Sequence, residues 1–128
     1  MTTTTTLFDE VKKLVGIEDD ETSYDAELNL QIRTAISRLN MAGIKFKLGS
    51  DLNGKVITVH DFKVGNYKVG EIIPTEETDD RVLEFICVHV QRMLYQEAQT
   101  SFYSTLQDLE HELLTTMYYA EMGVDSDD

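Results

Sequence analysis

The chain is predicted to be mostly α-helical, one domain of four helices with a small β-ribbon inserted between the second and third. Apolar residues recur at helical spacing in four stretches, with cap and stop residues standing at their ends. Between residues 44 and 73 the pattern changes to β-branched residues punctuated by Gly49, Gly54, Gly65 and Gly70. A length of 128 residues suits a single domain, which at this size buries roughly two thirds of its unfolded surface around one modest core.

The first helix is expected over about Leu7 to Val15. Thr6 is placed to cap it, Asp9 and Glu10 fall in its first turn, and Gly16 stands where a left-handed stop is expected. Leu7, Val11 and Leu14 form its apolar stripe. Residues 1–6, mostly threonine, read as a frayed arm or as one that orders against a neighbouring subunit. An acidic elbow, Glu18 to Glu21, then places negative charge before the positive dipole end of the second helix, with Thr22 or Ser23 as its cap. That helix continues to about Asn40 with Leu28, Ile32, Ala35, Ile36 and Leu39 on one face, and Gly43 ends it.

No helix is expected in the segment 44–74. Asn53-Gly54 signals a hairpin, Lys55 to Phe62 reads as a strand, and Gly65-Asn66 precedes a further extended stretch from Tyr67 to Ile73. A ribbon of two or three strands is marginal alone and must pack against helices or a neighbour. Pro74 closes it, and Thr75 to Asp80 makes a second acidic elbow. With Asp79 as cap, the third helix spans about Asp80 to Glu97, and its apolar residues wrap more than one face, as a central helix requires. After a break near Gln99 to Ser101, the fourth carries the stripe Phe102, Leu106, Leu109, Leu113 and Met117. Residues 118–128 read as a C-terminal arm in which Tyr118, Tyr119, Met122 and Val124 either end the core stripe or dock on a partner.

The 24 acidic residues against 11 basic ones, a formal charge of −13, argue against a sequence-independent nucleic-acid binder, which needs Lys and Arg to neutralise phosphates. Cys87 is the only cysteine, so no internal disulfide or cysteine-rich metal site is available, and its expected role is helix packing. The absence of a long apolar run predicts a soluble, unsecreted protein without a membrane span. His111-Glu112 begins like a zinc-protease helix, but Thr115 and Thr116 stand where the second histidine is needed. His60, in an expected strand, and His89, in an apolar helix, read as packed or hydrogen-bonded side chains. The first elbow lacks the glycine and closing glutamate of a calcium loop, and no phosphate-binding glycine spacing occurs. No catalytic residue, cofactor or metal is expected.

The segments VKKLVGI, EDDETSYDAEL and AISRLNMAGI reproduce a short helix, an acidic turn and a second helix with a small-residue ending. With VLEFICVHVQRMLYQEAQTSFYSTLQDLEHELL, an apolar helix followed by an amphipathic one, this order resembles the tailed-phage head-to-tail connector family, also called adaptor or DNA-packaging connector proteins. The ribbon departs from the plainest members, which place the third helix sooner. The resemblance implies a structural virion protein of the phage neck, present in the host cytoplasm during assembly. It would form a homo-oligomeric ring of about a dozen subunits beneath the portal protein, hold a stopper or tail-completion protein below, and let genomic DNA pass without specific binding. On this reading Tyr118, Tyr119, Met122, Val124, Phe62 and Tyr67 are candidate partner contacts, and Asp19, Asp20, Glu21, Glu76 and Glu77 are candidates to face the channel. An acidic lining repels phosphates; the same charge also serves as an ordinary solvated surface. An acidic DNA-mimic inhibitor, another small protein-interaction domain and a small enzyme are the alternatives.

Overall fold

The computed structural model describes residues 5–18, 20–76, 78–94 and 100–121, the side chains of 100–103 excepted. Its elements are α1 (Leu7–Leu14), α2 (Asp25–Met41), β1 (Lys47–Ser50), β2 (Val56–Thr58), a short α3 (Val59–Val64), a 3-10 turn (Val69–Glu71), α4 (Asp80–Leu94) and α5 (Thr100–Glu121). Four main helices thus frame a two-stranded antiparallel hairpin, as the sequence pattern predicts, and α3 is an addition to it.

α1 begins where Thr6 Oγ1 accepts the Asp9 amide at 3.2 Å and stops at Gly16, whose φ of +87° is left-handed. Its buried stripe is Leu7, Val11 and Val15, because the i, i+4 series runs on into the cap residue; Leu14, expected in that stripe, is 49% exposed. Neither Thr22 nor Ser23 caps α2. Tyr24 holds the cap position without a side-chain hydrogen bond, and the Glu21 carboxylate instead accepts the Ser23 amide at 2.8 Å. Lys12 crosses from α1 to Asp25 at 3.0 Å and fastens the elbow to the first turn of α2.

The middle segment differs most from its expectation. β1 and β2 pair antiparallel with a bulge between Lys47 and Gly49. The connection is wider than a two-residue Asn-Gly turn, since the Asp51 carboxylate accepts the amides of Asn53 (2.9 Å) and Lys55 (3.0 Å) and organises a five-residue loop. The second strand ends at Thr58, not Phe62. There Thr58 Oγ1 accepts the Asp61 amide at 3.1 Å while the Asp61 carboxylate accepts the Thr58 amide at 3.2 Å, a reciprocal cap that starts α3 and places His60 on a helix. The third extended stretch shrinks to one bridge between Ser50 and Ile73, the rest being the 3-10 turn. At this bridge a Cβ on Gly49 would stand 2.6 Å from the Ile73 carbonyl oxygen, so the close approach requires glycine.

One apolar cluster joins these parts. Leu7 and Val11 of α1, Leu28, Ile32, Ala35, Ile36 and Leu39 of α2, Leu48 and Ile57 of the hairpin, and Val82, Phe85, Ile86 and Val90 of α4 are all inaccessible to solvent. α4 touches α1, α2, β1 and α5, the central place its apolar girth predicts. Asp79 accepts the Arg81 amide at 2.8 Å at its start; the expected end at Glu97 lies outside the described residues.

Candidate functional site

Apolar faces bring α2, α4 and α5 together, and one carboxylate then fixes their relative positions. Glu110 of α5 is only 2% exposed. Its Oε1 accepts from Arg38 Nη1 of α2 at 2.5 Å and lies 2.6 Å from His89 Nδ1 of α4, while its Oε2 accepts from Arg92 Nε of α4. His89 and Arg92 are three residues apart and so share a helix face. Burial pushes the Glu110 carboxyl up, but the hydrogen bonds and charges of His89 and Arg92 outweigh it and hold the carboxyl at about 2. An ionised carboxylate only accepts, so His89 carries its proton on Nδ1. His89 Nε2 is buried without a partner among the described residues, beside the stacked ring of Phe85. The cluster fastens three helices away from solvent, and its work is positional.

At the far end of α5, Met117 points into the core while Tyr118 and Tyr119 face solvent, 42% and 52% exposed. Their rings meet edge to face, 5.7 Å apart. The two tyrosines belong to the helix, which continues to Glu121; there the Glu121 carboxylate accepts the Lys45 amide at 3.2 Å and ties the helix end to the chain entering β1. Met122 and Val124 lie outside the described residues. Phe62 is 3% exposed and packs in the core, so little of it is open to a partner; Tyr67 is half-buried.

Of the acidic candidates, Asp20 and Glu76 are exposed, Glu21 is held by Ser23, and Asp19 and Glu77 lie outside the described residues. Among the described residues no three His, Cys, Asp or Glu side chains gather as a metal site, and no helix is long and apolar enough to cross a membrane. Burial, with Glu10 and Glu84 nearby, pushes the Cys87 thiol up to about 12, which leaves it protonated and unreactive at neutral pH.

Residue-by-residue reading misses a groove between α2 and α3. Leu30, Arg33, Thr34 and Ser37 form one wall and Phe62, Lys63, Asn66 and Tyr67 the other, around a cavity of about 220 Å³. It continues past Lys68 to Glu71 through a further cavity of about 490 Å³. The available signal was regional charge. Seven of the 11 basic residues and only two of the 24 acidic ones fall between Arg33 and Lys68, a formal +5 within a chain of −13.

The helical frame and the ribbon carry outward-facing aromatic and charged side chains. A family model described as phage connector protein matches residues 7–119, from the first residue of α1 to the exposed Tyr119, and the chain belongs to that family. Membership gives it a structural role in connecting phage head and tail, as a virion component that assembles with other virion proteins, in a family that is not enzymatic. No curated protein and no solved structure matches the chain.

Proposed function

We propose that this connector acts in the phage neck as a closed ring of about a dozen copies beneath the portal protein. It holds a stopper or tail-completion protein below and leaves a passage for the genome during packaging completion and ejection. Family membership over residues 7–119 supports the reading, and the observation that carries its detail is the paired Tyr118 and Tyr119. Aromatic side chains concentrate at the centres of protein interfaces, because each buries a large, rigid apolar area at small entropic cost. Here two stand together in solvent at the end of a helix whose middle is locked by Glu110. A locked helix presents its tip in a fixed position, which lowers the ordering cost of docking. The tip meets the portal or the stopper. The exposed acid Glu76 suits a passage for DNA, since it repels phosphates and lets the duplex slide.

Native mass spectrometry of the full chain, alone and with the portal protein of the same phage, tests the reading. A ring, or a portal complex of matching stoichiometry, is expected. Replacing Tyr118 and Tyr119 by serine should leave the fold intact and weaken portal or stopper capture at least tenfold. Undiminished capture of both would remove the tyrosines from the interface, and a strict monomer that ignores the portal would overturn the ring.

A further inference from the structure

The ring reading leaves open which surfaces join neighbouring subunits, and the separation of charge answers that question on the basis of that reading. One face is acidic. Glu18 and Asp20 are exposed on the elbow after α1, next to Tyr24, which is 51% exposed. A cavity of about 510 Å³ lies beside them, lined by Ile17, Tyr24 and Leu94 as well as by the acids. The other face is basic. Arg33, Lys63 and Lys68 are exposed around the α2–α3 groove, and none of the three is in an ion pair among the described residues. Apolar side chains stand among them too: Leu30 is 50% exposed, and Tyr67 forms part of the wall. Glu71 lies at the far end of the groove, where its carboxylate accepts the Lys68 amide at 2.7 Å.

Each face therefore combines exposed apolar area with a predominance of charge of one sign, and the predominant signs are opposite. The nine residues from Tyr24 to Arg33 make about two and a half helical turns, which puts the two on roughly opposite sides of α2. One subunit can then use both faces at once. A contact between two different faces of identical subunits is heterologous, and repeated around a closing rotation it generates a ring.

We propose that the acidic elbow of one copy, around Glu18, Asp20 and Tyr24, docks against the basic α2–α3 groove, around Arg33, Lys63 and Leu30, of the next. Opposed charges speed and orient the encounter, while Tyr24, Leu30 and Tyr67 supply apolar area that the contact covers. The same arrangement disfavours elbow-to-elbow pairing, in which like charges meet.

Sedimentation velocity of the full chain tests the contact with two variants, Arg33→Glu/Lys63→Glu and Glu18→Lys/Asp20→Lys. All four positions are exposed, and each variant should keep the far-ultraviolet circular dichroism of the parent. Each alone should self-associate at least tenfold more weakly. An equal mixture should regain assembly, because the acidic elbow of the first variant meets the basic groove of the second and the basic elbow of the second meets the acidic groove of the first. Raising salt to about 1 M, where the screening length falls to about 3 Å, should weaken assembly of the parent. Rings that form unchanged in both variants would overturn this interface while leaving the ring reading in place; so would a mixture that fails to assemble. A parent chain that remains monomeric alone and on the portal would overturn both. Retention of duplex DNA by the groove, with assembly indifferent to the swaps, would reassign the basic face to nucleic acid.

Discussion

Glu110 and Glu18 carry the same carboxylate in opposite circumstances. Glu110 is withdrawn from water and answered by Arg38, His89 and Arg92, whereas Glu18 stands exposed on the elbow with no ion pair among the described residues. A buried charge must be matched within its own chain, because desolvation without partners costs several kcal/mol. An exposed one is already satisfied by water and remains available to a neighbour. The contrast divides the charged groups into those that hold the fold together and those that we assign to assembly.

The comparison breaks most sharply at Glu110. Glu110→Ala removes the buried acceptor that His89 and Arg92 share, and urea denaturation should record a loss of about 3–5 kcal/mol, the usual cost of removing one partner from a buried pair. Arg38, at 42% side-chain exposure, softens this by turning to solvent.

Acid acts on the same group with a defined sign. The folded carboxyl titrates at about 2 instead of near 4.5, so its contribution is fully present above about pH 4.5 and disappears as the pH falls towards 2. The shift corresponds to on the order of 3 kcal/mol. Glu110→Gln should therefore show a shallower fall in stability than the parent across that window, and parallel pH curves for the two would contradict the assignment.

The exterior charges should give the smallest stability effect. Arg33→Glu/Lys63→Glu should move the urea midpoint by no more than about 0.5 kcal/mol in equivalent stability, the usual range for exposed sites, while self-association weakens. A large midpoint shift would mean that the groove charges serve the fold.

Much of the helical frame was legible because its signals are local. Thr6 and Gly16 bracket α1, and the apolar series of α2 and α4 follow the period of a helix. The middle segment was less so. Its β-branched residues suit a strand, yet the Thr58-to-Asp61 capping box starts a helix at Val59, and a four-residue cap signal overrode propensity. The third strand was lost because only Ile73 reaches Ser50. Of the candidate contacts, Tyr118 and Tyr119 face solvent, whereas Phe62 went into the core: one aromatic residue reads the same in sequence whether it packs inward or outward. The Glu110 cluster was illegible for a different reason. Arg38 lies 72 residues from Glu110, and nothing at either position marks them as partners until α2 and α5 have both packed on α4. The groove had a readable signal, but it is regional and appears only when charge is counted over residues 33–68 as a block.

Cryo-electron microscopy of the connector assembled on its portal protein tests the central claim most directly. The account predicts a ring in which Glu18 and Asp20 of each subunit lie over Arg33 and Lys63 of the next, while Glu110 remains enclosed by Arg38, His89 and Arg92 of its own chain. A ring whose elbows and grooves both stay open to solvent, or in which Glu110 is paired across subunits, would contradict the division between charges that fold the chain and charges that assemble it.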